Sequence, residues 1–260
     1  GVFLVLGCTD ATIVDSYTYC TMIGGGTKTP TLSVKYEREV DFSGGAAIVA
    51  KHIRSAGAQV KFSTVLGDDD LKVFVLSDLE KQGIDCFAVV DKTRPTTRKN
   101  GFIAGGYRLL KVDTLDNRPI SDRVLQRLKC SLAASQVDAV VFSDFRHGIF
   151  NRQTIPQLTE SLPADVFRVA DSQVASRWGN ILDFKGFDLI TPNEREARFA
   201  LGDQDSVVRP LALELYERAK CKTMLLKLGE RGAITYRPHT PGDVRAFFTL
   251  DSFAGKVVDP

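Results

Sequence analysis

A short apolar strand runs directly into a helix in the stretch Leu189-Ile190-Thr191-Pro192-Asn193-Glu194-Arg195-Glu196. Pro192 suits a first helical turn, because its fixed φ fits there and its missing N–H would be unpaired anyway. Asn193 and Glu196 are three residues apart and therefore share one face near the helix start. A helix N-terminus attracts phosphate, and a carboxylate beside it would repel phosphate unless a divalent metal lay between them. The stretch thus indicates a Mg²⁺-nucleotide site, although glutamate in a first turn is also common for its interaction with the helix dipole.

Strands and helices alternate along most of the chain, which predicts an α/β fold with a mostly parallel central sheet and helices on both faces. Apolar periodicity followed by glycine predicts helices over residues 46–56 and 70–82. Short apolar runs predict the main strands, at residues 2–6, 60–65, 139–142, 166–170, 189–191, 223–227 and 233–236.

Two β-rich segments, residues 12–42 and 87–113, do not fit this alternation. The first alternates apolar and polar positions in its second half, as a half-exposed antiparallel strand does. The second contains Gly105-Gly106, which predicts a hairpin turn. The simplest interpretation is that the two segments together form a small second sheet beside the main one. We therefore expect residues 1–260 to form a single domain that carries these two insertions.

Composition excludes several classes of protein. The chain of 260 residues has 43% hydrophobic and 25% charged residues and a net charge of +2, which is ordinary for a globular protein and predicts no nucleic-acid partner. Its apolar runs are too short to cross a bilayer, so no membrane partner is expected. Five cysteines are scattered without a C-x-x-C pair, which indicates neither a zinc site nor a disulfide framework. A reducing cytoplasm is the simplest setting.

Three loops lie where an open α/β sheet binds ligands, at strand ends or helix starts. Residues 42–47 include Gly44 and Gly45, which permit close backbone approach or simply begin a helix. Residues 143–148 combine an acid with histidine and arginine, and residues 227–232 pair a lysine with two glycines that would suit a nucleotide or a plain tight turn. Residues 24–29 imitate a phosphate-binding P-loop, but threonine precedes the lysine and proline follows, so we reject that interpretation.

Together these residues resemble the PfkB, or ribokinase-like, family of carbohydrate kinases, over essentially the whole chain. Within that family the chain looks most like the kinase domain of bacterial ADP-heptose synthesis, which phosphorylates a heptose 7-phosphate. The closer likeness is carried by residues 44–47, 108–113 and 143–145. The resemblance implies a Rossmann-like ribokinase fold with a small β-sheet lid, transfer of the γ-phosphoryl of ATP to a sugar or sugar phosphate, a need for Mg²⁺, and a homodimer paired through the lid.

The resemblance also assigns roles to individual residues. Those expected at the nucleotide and its metal are Asn193 and Glu196, as ligands of Mg²⁺ and phosphate, with Lys227, Gly229 and Gly232 along the nucleotide. Those expected at the sugar are Asp15, Gly44 and Gly45, with Lys111 and Asp113 closing over it from the lid and Asp144 bordering the phosphate cleft.

The chain departs from the family pattern at three places. Ile48 stands where relatives carry an asparagine that binds sugar hydroxyls, and Lys111 replaces an arginine, exchanging a bidentate fork for a point charge. The Gly-Ala-Gly-Asp turn that supplies the catalytic aspartate and an anion hole would begin just after Pro260. We therefore expect the base, and any fused nucleotidyltransferase domain, to lie outside this sequence. A non-catalytic sugar- or nucleotide-binding relative and a nucleoside kinase remain alternatives.

Overall fold

A computed structural model describes residues 1–7, 12–25, 31–145, 147–173, 179–240, 243 and 245–253. In chain order the strands are β1 (Val2–Gly7), β2 (Val14–Gly25), β3 (Leu32–Ser43), β4 (Gln59–Leu66), β5 (Asp85–Val90), β6 (Arg98–Ala104), β7 (Tyr107–Thr114), β8 (Ala139–Asp144), β9 (Phe167–Ser172), β10 (Leu189–Ile190), β11 (Thr223–Lys227), β12 (Ala233–Tyr236) and β13 (Phe247–Leu250). The helices are α1 (Ala46–Ser55), α2 (Asp70–Lys81), α3 (Asp122–Ala133), α4 (Thr154–Glu160), α5 (Glu194–Leu201) and α6 (Val208–Ala219).

The larger sheet has nine strands in the order β13-β12-β11-β10-β9-β8-β1-β4-β5. All neighbours from β11 to β5 pair in parallel, and the β11–β12 and β12–β13 pairs are antiparallel. Strand β8 is buried along its whole length, as a parallel strand covered on both faces should be. The predicted mostly parallel central sheet is confirmed.

The helices begin and end where the sequence indicates. Asp69 caps α2 by accepting a hydrogen bond from the Lys72 N–H at 3.1 Å, and Ser121 caps α3 in the same way through Val124. Helix α1 packs against β1, β4 and β8, whereas α3 packs against β4 and β5. In the part of the chain described, no helix combines the length and apolar character that a membrane crossing requires.

The smaller sheet, which we call the lid, has four strands in the order β3-β2-β6-β7. It is built from the two inserted segments, with one correction. Strand β5, which we expected to belong to the second insertion, pairs in parallel with β4 at the edge of the main sheet. The second lid segment therefore begins at β6, not at residue 87. Gly105 and Gly106 both have positive φ and form the expected hairpin between β6 and β7.

An aromatic cluster anchors the core beneath β8. Phe142 is fully buried and lies 5.2 Å from the ring of Phe150, 5.3 Å from that of Phe187 and 6.3 Å from that of Phe184. Such ring pairs add to the free energy gained by burying their apolar area. The cluster fixes β8 against the segments that lead to the site.

Phe142→Ala should lower the free energy of unfolding by about 3–5 kcal/mol, because it leaves a cavity that the ring cluster cannot close. Phe167→Ala, in the neighbouring strand at a position 45% exposed, is the matched control and should cost less than about 1 kcal/mol. Denaturant unfolding of both variants measures the difference. Equal losses would contradict the central place of this cluster.

Candidate active site

The residues predicted at the nucleotide, together with Asp144, lie along one edge of the main sheet. Strands β1, β8, β9, β10 and β11 are consecutive in the sheet and parallel, so their carboxyl ends share that edge. Asp144 ends β8, Asn193 begins α5 directly after β10, and Lys227 ends β11. The carboxyl end of β1 leads toward the lid. Ligands of open α/β sheets bind at such an edge.

Asn193 and Glu196 lie together, as the sequence predicts, but they bind each other. The Asn193 side chain accepts a hydrogen bond from the Glu196 N–H at 2.8 Å, while both carboxylate oxygens of Glu196 accept hydrogen bonds from Asn193 at 2.7 Å. This is a capping box that satisfies the first N–H groups of α5. Burial raises the pKa of Glu196, against the lowering effects of Asn193 and Lys227. The pair thus has a structural role whatever ligand it also binds.

The Lys227 side chain crosses the end of β10 and contacts Asp171, an acid that the sequence analysis did not single out. Its Nζ lies 2.8 Å from Oδ1 of Asp171, and Thr191 donates its hydroxyl to the same oxygen at 2.9 Å. The backbone N–H of Lys227 donates to the Pro192 carbonyl at 2.8 Å, which fixes the lysine beside the start of α5. Asp171 directly follows the predicted strand 166–170, so its place at a strand end was the available signal.

The acids at this edge fit a magnesium ion that is held mainly by water and phosphate. Asp171 and Glu196 are near enough for Asp171 to raise the pKa of Glu196. Among the described residues no group of three or more His, Cys, Asp or Glu side chains forms a metal cage. Mg²⁺ commonly keeps several waters and takes one or two protein carboxylates together with substrate phosphates. The donor set therefore suits Mg²⁺ bound with a nucleotide.

Asp144 and His147 follow β8 but differ in what they offer a ligand. Asp144 is fully buried and accepts a hydrogen bond from Ser172 at 3.0 Å, at the boundary between the ends of β8 and β9. His147 bonds through its Nδ1 to the Asn117 side chain, and burial lowers its pKa to about 4. A neutral imidazole attracts phosphate weakly, so the structure does not favour His147 as a cationic phosphate ligand.

The turn from Lys227 to Gly232 joins β11 to β12. Gly229 and Gly232 both have positive φ, which favours glycine. A Cβ on Gly229 would face open space, whereas a Cβ on Gly232 would lie 2.0 Å from the carbonyl oxygen of Leu250. Gly232 is therefore required by the packing of the chain after β13. Gly229 alone leaves backbone accessible beside the strand ends.

The lid places Asp15 among basic side chains. Asp15 pairs with Lys99 across β2 and β6, and Lys99 pairs with Asp113 across β6 and β7. A cavity of about 220 Å³ opens on this face, lined by Asp15, Ser16, Tyr17, Lys99, Gly101, Arg108 and Lys111. Lys111 lies 3.8 Å from Asp113, and in the described ranges Lys99 and Arg108 have no ion-pair partner. Burial raises the pKa of Asp15, and the two lysines oppose that change.

Gly44 and Gly45 join the lid to α1, and each has a distinct physical reason to be glycine. A Cβ on Gly44 would lie 2.1 Å from Oδ2 of Asp15, so the missing side chain makes room for that carboxylate. Gly45 is the N-cap of α1 and has a φ of 57°. Ile48, in the first turn of α1, is 41% exposed. The structure thus brings Asp15 against the Gly44 backbone and leaves an apolar side chain exposed nearby.

The fold and the residues at the carboxyl edge of its main sheet define a class of protein, and comparison with known proteins identifies that class. A family model described as pfkB family carbohydrate kinase matches residues 8–260, and the chain belongs to that family. Among curated relatives, the bifunctional protein HldE of Helicobacter hepaticus is 26% identical over 227 residues, which are 85% of this chain and 46% of that protein. HldE of Pelobacter propionicus is 28% identical over 242 residues, covering 88% and 48%. The chain spans about half the length of these relatives.

Solved structures share the fold. Escherichia coli phosphofructokinase-2 in complex with fructose-6-phosphate matches with a TM-score of 0.77 and 16% identity over 99% of this chain and 82% of that one. Ribokinase from Thermotoga maritima matches with a TM-score of 0.71 and 18% identity over 99% and 80%. The ribokinase-like fold and the family resemblance inferred from the sequence are both confirmed. Part of the rejected P-loop imitation, residues 26–29, lies outside the described residues, as do residues 254–260 at the end of the chain, where the sequence reads as a further strand.

Gly229 and Gly232 allow a matched test of which turn glycine is required by packing. Gly232→Ala should lower the free energy of unfolding by about 2–4 kcal/mol, because the new Cβ meets backbone in addition to adopting positive φ. Gly229→Ala has the same φ penalty without the clash and should cost about 1 kcal/mol. Thermal or denaturant unfolding checks both variants. A larger loss for Gly229→Ala would contradict the assignment of Gly232 to packing.

Proposed function

We propose that this chain is the kinase part of a cytoplasmic protein that transfers the γ-phosphoryl of ATP, with Mg²⁺, to a hydroxyl of a sugar phosphate. Membership of the carbohydrate kinase family supports the reaction class. The observation that carries the choice of substrate is the lid cavity, where three cations and one carboxylate line the same small volume. A heptose phosphate is the acceptor that the sequence resemblance favours.

The lid cavity suits a sugar that already bears a phosphate. Lys99, Arg108 and Lys111 would surround a dianionic group, and charge-assisted hydrogen bonds are the strong ones. Arg108 lies over Gly101, with its Nε 3.5 Å from where a Cβ would stand, which is an ordinary contact distance. Its planar guanidinium would supply the fork that Lys111 lacks. Asp15 would accept hydrogen bonds from sugar hydroxyls, with Gly44 and Gly45 beside it.

The other end of the edge suits the nucleotide. Asn193 and the N-terminus of α5 would face its phosphates, with Lys227 beside them and Gly229 and Gly232 along the turn. Mg²⁺ would be held by Asp171 and Glu196 through water, and it would supply charge stabilisation for the transferred phosphoryl group. Asp144 would border the cleft between nucleotide and sugar. Phosphoryl transfer depends mainly on such positioning and charge.

The outward face of the lid supports a homodimer. Cross-strand pairing places Tyr36, Leu110 and Val112 on the face opposite Asp15 and Lys99, and their exposed fractions are 61%, 51% and 45%. These side chains lie on β3 and β7, the two edge strands of the lid, and exposed large apolar side chains grouped on one face of a sheet are candidates for an interaction site. A second copy of the same lid would cover it symmetrically.

Lys99→Met and Arg108→Met should each lower kcat/KM for a sugar phosphate about tenfold or more, because each removes a charge-assisted hydrogen bond to the phosphate. The intact protein would be assayed with ATP and Mg²⁺ against heptose and hexose phosphates and the corresponding free sugars. Lys35→Met, on exposed β3 outside the cavity lining, is the control and should leave kcat/KM unchanged.

Three outcomes of that assay would count against the proposal. An equal loss of kcat/KM on free sugars would contradict the placement of the substrate's phosphate in the lid cavity. ATP binding without transfer to any sugar would favour the non-catalytic alternative, and preference for a purine nucleoside would favour the nucleoside kinase.

Leu110→Glu should convert the dimer to a monomer, because it buries an unpaired charge in the lid interface. Light scattering on the eluting protein measures the mass directly. Val73→Glu on α2, at a position 62% exposed in the main domain, should leave the mass unchanged. A monomeric parent protein would contradict the dimer.

A further inference from the structure

We propose that Lys227 is a built-in competitor of the divalent metal: its ammonium holds Asp171 while the metal is absent and moves to the nucleotide phosphates when metal and nucleotide arrive. This inference rests on the proposed use of Mg²⁺-ATP at the same edge. It concerns the ground state of the site before any substrate binds.

The contacts give Lys227 one fixed end and one movable end. Its backbone is tied to the start of α5 by the hydrogen bond to Pro192 and by a parallel bridge to Asn193. Its side chain is 42% exposed and ends on Asp171 Oδ1, 2.8 Å away. A lysine has a flexible four-carbon stem and a compact charge, so the ammonium can be redirected without moving the strand.

The Lys227 ammonium lies beside the carboxylates that would attract a metal ion most strongly. Asp171 is only 17% exposed, and its Oδ1 already accepts Lys227 and Thr191. Asp171 and Lys227 both act on Glu196, so two carboxylates and one ammonium share one neighbourhood. An arriving divalent cation meets a site that is half neutralised and is repelled by the ammonium. Once a triphosphate is present, the same ammonium has a better partner in its oxygens.

The test titrates Mn²⁺ into the intact protein without nucleotide or sugar, followed by electron paramagnetic resonance of the free ion. Lys227→Met should bind Mn²⁺ about five- to tenfold more tightly than the parent, because the competing charge is gone. Lys227→Arg keeps the charge and should show no gain, and Asp171→Asn combined with Lys227→Met should lose the gain. Lys222→Met is the matched control, since Lys222 forms a 2.7 Å ion pair with Asp188 at the other end of β11.

A second measurement, of ATP affinity, should change in the opposite direction to the Mn²⁺ affinity. Binding of metal-free ATP in the presence of a chelator should weaken severalfold in Lys227→Met and remain in Lys222→Met, because Lys227 would contact the phosphates whereas Lys222 lies at the other end of β11. Melting temperatures confirm that each variant is folded. Loss of both Mn²⁺ and ATP affinity in folded Lys227→Met would assign the lysine a purely structural role and overturn the proposal. Unchanged Mn²⁺ affinity would overturn it as well.

These readouts separate the two proposals. Tighter Mn²⁺ binding by Lys227→Met, with no phosphoryl transfer to any sugar phosphate by the parent, would sustain the competition and reject the kinase function. Transfer by the parent together with unchanged Mn²⁺ affinity in Lys227→Met would reject the competition alone.

Discussion

The parallel register of β8, β9, β10 and β11 is the constraint on which the site depends. Parallel neighbours must all run in one direction, so the chain returns through a crossover after each strand and every strand ends at the same edge. Asp144, Asp171, Thr191 and Lys227 come from segments far apart in sequence, yet each follows or ends one of these strands. The edge gathers acids and a cation, and their mutual contacts form the proposed nucleotide end of the site.

In the lid, strand pairing and the pleat together bring the residues of the proposed sugar site onto one face. Directly opposed residues share a face, so Asp15, Lys99 and Asp113 form one row and Tyr17, Gly101 and Lys111 form the next. The alternate residues, among them Leu110 and Val112, must then face the other way. The same strands therefore present basic side chains on one face and exposed apolar side chains on the other.

The apolar runs were enough to predict most strands of the main sheet, because strands such as β8 are buried on both faces and are apolar along their length; β13 was not predicted. It was harder to predict which of the two sheets each strand joins. Strand β5 precedes β6 in sequence and has similar composition, yet β5 pairs with β4 because the helix α2 returns the chain to the main sheet. Lys99 and Arg108 could not be assigned before the register was known, since their side chains meet Asp15 only across strands. Asp171 could have been found from its position after a predicted strand.

The two acids proposed to hold the metal, Glu196 and Asp171, are not equivalent, because their hydrogen bonds leave different oxygens available. Glu196 has both carboxylate oxygens committed to Asn193, and losing such a cap costs about 1 kcal/mol. Asp171 has its hydrogen bonds on Oδ1, while in the described part of the chain its Oδ2 accepts none. A cation can therefore approach Oδ2 of Asp171 without meeting any of these hydrogen bonds, whereas at Glu196 it would approach oxygens that already accept hydrogen bonds from Asn193. The sequence motif at the helix start is thus best understood as the rigid support of the site, with Asp171 and its lysine as the part that responds to charge.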